Sequence, residues 1–199
     1  MKQKLTKLIL AIGCVMFMSG QTYAQAYSEG KNNIHIGIGF PSLLGSSTSA
    51  FSGFGGFSSS STPPMHVVFE HGFTEHISGG LYIGYTGDKV RYSDFLTPAL
   101  TTGWDETYLI IGARGSYHFM TGDHFDPYVT LMLGYESASF KWYYSDPTYV
   151  PLVTTTVNPS GVGFSGSIGM NYLFSDNVGI FAELGYGIAI FNVGLSLKF

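Results

Sequence analysis

Five charged residues of this sequence are predicted to lie on the same face of a sheet, where they could act together. Each lies in a segment of alternating apolar and polar residues and falls on the polar register; they are Glu70, Arg114, Glu136, Glu183 and Lys198. In β-strands, such alternation places these groups on one face of a sheet. Three carboxylates and two cations there predict a charge network, in which Arg114 pairs with Glu183, Glu70 or both. The network either fills a protein interior or gates a narrow ion path.

Histidine and serine residues occupy the same register. The face that carries the charged residues also carries His35, His66 and His118. Ser116 lies two residues before His118. A neighbouring histidine can activate a serine hydroxyl as a nucleophile. An esterase acting on membrane lipid needs that pair open to the lipid or the rim, whereas Ser116 and His118 are predicted to lie inside. The His-Tyr-Ser arrangement of lipid A deacylases is also absent, so we predict no catalytic residue.

Two further patterns fail the requirements of the ligand sites they resemble. His66, His71 and His76 recur every five residues, which alternates strand faces and cannot build one metal site on a strand. Residues 161–166 match the string G-x-G-x-x-G, but neither a following helix nor an acidic residue about 20 positions later completes a dinucleotide site. The sequence therefore predicts no metal and no cofactor.

Alternation with a period of two is the dominant pattern of the chain, and it predicts the elements that carry these residues. The predicted strands are 34–40, 65–73, 77–85, 108–119, 128–142, 161–174, 178–186 and 190–199. A soluble sandwich would carry many charged residues on its polar face. Here that face is mostly glycine and serine, which fit a narrow lumen. We predict an all-β fold, an eight-stranded antiparallel up-and-down transmembrane β-barrel.

The connections between these strands fall into two classes. Those at 74–76, 121–124 and 175–177 are short turns, whereas 41–64, 86–106 and 143–160 are long and rich in Ser, Gly, Thr and Pro. Outer-membrane barrels have their longer loops outside the cell, so the long connections are predicted to be extracellular. Aromatic residues gather near the two strand ends, as membrane interfaces require. They are Tyr85, Trp104, Tyr108, Tyr135 and Trp142 at the outer end, and Phe73, Phe119, Tyr128, Tyr172, Phe174 and Phe199 at the inner end.

The first 24 residues have the pattern of a secretory signal peptide. Three lysines precede an apolar run from Leu8 to Met18 that is shorter than the roughly 20 residues of a membrane-spanning helix. Cleavage is predicted after Ala24, with Ala26 as the alternative, which leaves a single barrel domain at 25–199. A second interpretation of this region is a lipoprotein signal in which Cys14 is acylated.

Composition fits a membrane barrel and excludes one class of partner. Only 11% of the residues are charged, and 16% are aromatic. Without its three N-terminal lysines the chain has 6 basic and 13 acidic residues, a net charge of −7. A nucleic-acid partner is excluded on this charge.

The last eight residues resemble the C-terminal signal that the outer-membrane assembly machinery recognises. Its positions are a polar residue, a glycine two later, and apolar residues third from last and last: Asn192, Gly194, Leu197 and Phe199. Segments 69–73, 113–119 and 126–129 resemble the small porin-like outer membrane protein beta-barrel domain family, similar in plan to OmpX, the OmpA barrel and the opacity proteins. The resemblance covers the whole mature chain and implies a location in the cell outer membrane, but it transfers no activity.

These observations lead to three hypotheses about function. The first is a non-enzymatic barrel with a structural or surface-binding role, either alone or as an accessory subunit of a membrane complex. The second is a narrow passive pore for ions or small solutes, and the third a lipid-modifying enzyme. The predicted partners are outer-membrane lipid and lipopolysaccharide, the assembly machinery during biogenesis, and a protein bound through the extracellular loops or outer wall.

Overall fold

Eight strands form one closed sheet. The computed structural model describes residues 25–44, 57–93, 100–120, 122–146 and 160–199. The strands are β1 (Asn32–Ser42), β2 (Phe57–Gly72), β3 (Ile77–Ser93), β4 (Thr101–His118), β5 (Phe125–Tyr144), β6 (Gly161–Leu173), β7 (Val178–Tyr186) and β8 (Ala189–Lys198). Each is antiparallel to its neighbours, and β1 pairs with β8. The predicted eight-stranded antiparallel barrel is confirmed. No helix among these residues is long and apolar enough to cross a membrane.

Alternation sorts the side chains between the two faces of the barrel. Ile36, Leu81 and Leu131 point outward and are exposed, whereas Val68 and Ile110 point inward and are buried. An apolar outer wall suits contact with lipid, and closure pairs every strand edge that would otherwise leave backbone groups unsatisfied in the membrane. The lumen is therefore lined by the register that carries the charged residues.

At the loop end, β2, β3 and β4 continue well beyond the predicted bounds, and β5 continues two residues beyond them. The sheet extension consists of residues 57–62 of β2, 86–93 of β3, 101–107 of β4 and 138–144 of β5, which pair with one another in continuous register. Much of the connection predicted at 86–106 is therefore strand, and only 94–100 separates β3 from β4. The alternation of apolar and polar residues ends near Tyr85, where the outward wall stops being apolar, although the backbone pairing continues. That is why the predicted strand ended too early.

The other predicted connections also differ in extent. The segment between β1 and β2 is 43–56 rather than 41–64, and that between β5 and β6 is 145–160 rather than 143–160. The predicted signal peptide at 1–24, with Cys14, lies outside the described residues, as do 45–56, 94–99 and 147–159.

The two ends of the barrel differ in their connections. The turn end has three short hairpin connections, and β1 meets the end of β8 there through paired hydrogen bonds between Asn32 and Phe199, 2.8 and 3.0 Å long. The opposite, loop end carries the sheet extension and the longer connections. Exposed aromatic side chains face outward near both ends, including Phe73 and Phe174 at the turn end and Tyr85 and Tyr135 at the loop end.

Candidate functional site

A buried ion cluster crosses the lumen. Arg114 on β4 donates from Nε to Glu70 Oε1 on β2 at 3.1 Å, and from Nη2 to Glu183 Oε1 on β7 at 2.5 Å. All three residues are at most 5% exposed. The interior of an eight-stranded barrel is just wide enough for side chains to fill, so one guanidinium can reach carboxylates on two other strands. The cluster ties β2, β4 and β7 together across the barrel.

Neutral side chains complete the hydrogen bonding of the two carboxylates. Ser116 Oγ donates to Glu70 Oε1 at 2.5 Å, and Tyr128 OH donates to Glu183 Oε1 at 2.8 Å. Ser167 Oγ lies 3.4 Å from Glu183 Oε2. A buried ion pair is tolerated only when such additional bonds satisfy its remaining oxygens.

Tyr128 corrects a prediction. It was assigned to the inner aromatic girdle, but it is 2% exposed and lies in the lumen. Val129 faces the lipid, so its neighbour on the strand must face inward. Space for the phenol ring comes from Gly169, where a Cβ would lie 2.6 Å from Tyr128 Cζ and 2.9 Å from Glu183 Cγ.

Glu136 and Lys198, the other two residues of the predicted network, do not join the cluster. Glu136 is only half-buried and lies on β5 four residues beyond Met132, the strand neighbour of Arg114. Four residues span about 13 Å of strand, too far for a direct contact. Lys198 lies at the turn end, where its Nζ donates to the carbonyl oxygen of Gln25. Glu136 and Lys198 thus lie at other depths of the lumen than the ion cluster, which keeps them apart from it.

An apolar layer fills the lumen on the loop side of the ion cluster. It consists of Val68, Tyr82, Ile110, Met132, Ile188 and Ala189, each at most 6% exposed. The rings of His35 and His66 pack against Phe181 at centroid distances of 4.6 and 5.7 Å. Residues lining a water-filled channel would be exposed to solvent, and these are not.

Two glycines make room for the Phe181 ring. Gly37 on β1 and Gly194 on β8 are direct strand neighbours. A Cβ at either position would lie 2.6 or 2.7 Å from Phe181 ring carbons. Gly194, predicted as part of the assembly signal, thus also has a packing role. Of the other signal positions, Asn192 faces the lumen, whereas Leu197 and Phe199 fall on the outward register.

A strap formed by residues 25–31 covers the turn end of the lumen. The Tyr27 ring stacks on His118 with centroids 3.6 Å apart and planes 10° apart. Its hydroxyl lies 2.7 Å from the carbonyl oxygens of both Thr74 and Ile77 and shares its one proton between them. Burial, with the nearby Asp126 and Glu70 carboxylates, raises the pKa of Tyr27 to about 12. The strap thereby holds an aromatic lid over the charged interior.

Under this lid, His118 bonds to Ser78 rather than to Ser116, its neighbour in the sequence. Its Nε2 lies 3.0 Å from Ser78 Oγ, and its Nδ1 lies 2.8 Å from Asp126 Oδ1. Ser116 instead donates to Glu70. The connectivity Ser–His–Asp is that of a hydrolase triad, which sequence reasoning did not find because Ser78 and Asp126 lie on other strands.

The surroundings of Ser78 do not suit a substrate. Ser78 is 3% exposed, and the cavity that it lines beside Tyr27 has a volume of about 10 Å³, room for one water molecule. A nucleophile must reach its substrate, so the arrangement is interpreted as a hydrogen-bonded strut. No group of three or more His, Cys, Asp or Glu side chains among the described residues is arranged to hold a metal.

The sheet extension carries a second concentration of polar and aromatic groups. On the register that continues the outer wall, Arg91 donates to Asp105 at 2.7 Å and lies 4.0 Å from the centre of the Tyr143 ring. On the register that continues the lumen face, the Trp104 ring lies 6.1 Å from Trp142. Trp104 and Trp142 were predicted as girdle residues, but they lie above the apolar wall rather than within it.

Comparisons with known proteins agree with this architecture. The family described as "Outer membrane protein beta-barrel domain" matches residues 10–199. No curated protein matches the chain. Among solved structures, the outer membrane protein OprG from Pseudomonas aeruginosa is similar at 13% identity over 90% of this chain and 99% of that chain, with a TM-score of 0.55.

Two other barrels are similar at lower TM-scores. The N-terminal β-barrel domain of Pseudomonas aeruginosa OprF is 14% identical over 87% of this chain and 100% of that one, with a TM-score of 0.45. Ail of Yersinia pestis, in complex with the heparin analogue sucrose octasulfate, is 13% identical over 86% and 100%, with a TM-score of 0.46. The match over nearly the whole sequence and the closed eight-stranded barrel lead to one conclusion: this chain belongs to the outer membrane protein beta-barrel domain family and is located in the cell outer membrane.

Proposed function

We propose that this protein is a non-enzymatic outer-membrane barrel with a sealed lumen, and that it acts through the part that projects above the membrane. The observation that carries the proposal is the contrast between its two regions. The lumen is filled by the ion cluster, the apolar layer and the Tyr27 strap, whereas the sheet extension presents exposed charged and aromatic side chains. The role is structural or surface-binding.

The loop end is assigned to the cell exterior. Bacterial outer-membrane barrels have short turns on the periplasmic side and longer loops outside. With this orientation the sheet extension stands above the outer leaflet, and the Tyr27 strap closes the periplasmic mouth. A protein partner, including a larger membrane complex, would then meet the extension or the outer wall.

The alternative function, a narrow passive pore, requires the filled layers to move. Arg114 would have to leave Glu70 and Glu183, and any of the three groups that stayed buried without its partner would cost about 3–5 kcal/mol. The side chains of the apolar layer would also have to move apart to open a path. The described geometry therefore supports plugging over conduction, and the buried Ser78–His118–Asp126 strut gives little support to a lipid-modifying enzyme.

Liposome swelling tests this proposal. Vesicles containing the purified mature protein are diluted into solutions of small sugars, beside vesicles containing a general porin as a positive control. We expect swelling no faster than that of protein-free vesicles. Rapid swelling by a correctly folded sample would overturn the sealed-lumen proposal.

A further inference from the structure

The positive charge of the mature chain is concentrated on one small surface. Outside the predicted signal peptide the sequence has six basic residues, and three of them lie close together on the sheet extension: Lys89, Arg91 and Lys141. Arg114 is buried in the lumen, whereas Lys31 and Lys198 lie at the turn end. A chain with a net charge of −7 thus carries a local positive patch.

Strand register explains how these cations meet. Lys89 on β3, Asp105 on β4 and Lys141 on β5 are direct neighbours in one row across three strands. Arg91 lies two residues beyond Lys89 and bonds to Asp105 at 2.7 Å. On the outward face one carboxylate therefore stands among three cations, an excess of two positive charges, whereas Asp88 and Glu106 of the adjacent row lie on the opposite face.

Arg91 is held in place, whereas the two lysines extend into solvent. Its Nη1 donates to the carbonyl oxygens of Val90 and Trp104 at 2.7 and 3.1 Å, and its guanidinium lies over the Tyr143 ring. Lys89 and Lys141 are exposed. These contacts and the bond to Asp105 engage three of the five N–H groups of the guanidinium, which leaves two for a ligand. Together with the two exposed ammonium groups they suit a phosphate, which offers several oxygens to several donors.

The height of the patch matches that of lipid headgroups. On the outward face of β3, the apolar residues end at Tyr85, and Lys89 follows four residues later. Those four residues span about 13 Å of strand, or roughly 10 Å along the membrane normal at the usual tilt. Tyr85 and Tyr135 mark the interface below, because tyrosine prefers the headgroup level.

We propose that Lys89, Arg91 and Lys141 form a binding site for the phosphate groups of a phosphorylated glycolipid in the outer leaflet, that is, of lipopolysaccharide. The patch faces outward, directly above the lipid-facing wall, so the anions nearest to it are those of the surrounding leaflet. This inference rests on the proposed function, because it requires the loop end to lie outside the cell.

The test measures lipid retained by the mature protein in mixed nanodiscs, using native mass spectrometry. The probe is bisphosphorylated lipid A, compared with the same lipid after phosphatase treatment and with phosphatidylglycerol. The variant is Lys89→Gln with Lys141→Gln, and the matched control is Lys31→Gln, an exposed lysine at the opposite end. Heat-modifiable gel migration verifies that each variant is folded.

We expect the double variant to lose about fivefold in lipid A retention for each lysine removed. Lys31→Gln should retain lipid A as the unmodified protein does, and dephosphorylated lipid should bind all three proteins equally weakly. Equal retention by the double variant and the control would overturn the proposal. Equal retention of phosphatidylglycerol and lipid A would overturn the assignment to a glycolipid.

Solute swelling of closed vesicles made with the same purified proteins separates this proposal from the proposed function. If vesicles swell while the lipid A difference persists, the sealed-lumen proposal fails and the phosphate site stands. If vesicles do not swell and the difference is absent, the phosphate site fails alone.

Discussion

Arg114 on β4 reaches across the lumen to Glu183 on β7, with 2.5 Å between Nη2 and Oε1. The two residues are 69 positions apart in the sequence, so the contact exists only when the sheet has closed. Closure, charge pairing and exclusion of water from the interior are therefore parts of one arrangement.

Breaking this pair should destabilise the barrel strongly. Glu183→Ala leaves the Arg114 guanidinium short of a partner in a buried site, which costs about 3–5 kcal/mol. Glu136→Ala serves as the control, because Glu136 is half-buried and lies outside the cluster; its effect should stay within about 1 kcal/mol. Urea unfolding in lipid vesicles measures both values, and similar losses for the two variants would contradict the structural role of the cluster.

The packing of Phe181 against Gly37 should appear as an energetic coupling. Gly37→Ala forces a Cβ against two rings, because that position lies 2.6 Å from Phe181 Cζ and 2.7 Å from His66 Cε1 and Nε2. Phe181→Ala alone leaves a cavity and costs about 3–5 kcal/mol. In the double variant the clash with Phe181 is gone and the His66 ring, which packs against Phe181, gains room to shift. The combined loss should therefore be smaller than the sum of the single losses. A strictly additive double-mutant cycle would show that the two positions do not share space.

Removal of the Tyr27 ring should uncover His118. Tyr27→Ala takes away the ring that stacks on the imidazole at 3.6 Å, whereas Tyr27→Phe keeps the ring and loses only the hydroxyl. Diethyl pyrocarbonate should therefore modify His118 faster in the alanine variant and slowly in the phenylalanine variant. His76, which is exposed, supplies the reference rate in every sample. Unchanged protection of His118 in Tyr27→Ala would rule out the strap as its cover.

The sheet extension should protect backbone amides from hydrogen exchange. Arg91 and Gly103 are paired on β3 and β4 within the segment that the sequence pattern assigned to a loop. Their amides should exchange far more slowly than the intrinsic rate of an unprotected amide. Exchange at that unprotected rate would indicate that the strands end near Tyr85.

The barrel was predictable because lipid and lumen impose opposite requirements on neighbouring residues. The alternation gave the bounds of β7 and the inward direction of Glu70, Arg114 and Glu183. The alternation also predicts that Tyr128 faces inward, because its neighbour Val129 faces outward. Tyr128 was assigned to the girdle because aromatic residues were grouped by their distance from the strand ends. Whether a residue lies at an odd or an even position of its strand is the better guide to the face that its side chain occupies.

Other parts of the site leave no periodic pattern. Ser78, His118 and Asp126 come from three strands and meet only through the closed geometry and its short turns. Tyr27 belongs to a segment without alternation, so nothing in its neighbours predicts a lid. Beyond Tyr85 neither face must be apolar, and a strand there is supported by pairing with its neighbours rather than by its own composition.

Planar-bilayer recording tests the sealed lumen most directly. The mature protein, verified as folded by heat-modifiable migration, is added to a bilayer beside two variants, Arg114→Ala and Glu136→Ala. We predict no reproducible conductance steps for the unmodified protein or Glu136→Ala, because the ion cluster and the apolar layer fill the interior. Regular single-channel steps from the unmodified protein, with an amplitude that Arg114→Ala changes, would contradict this account and establish a pore.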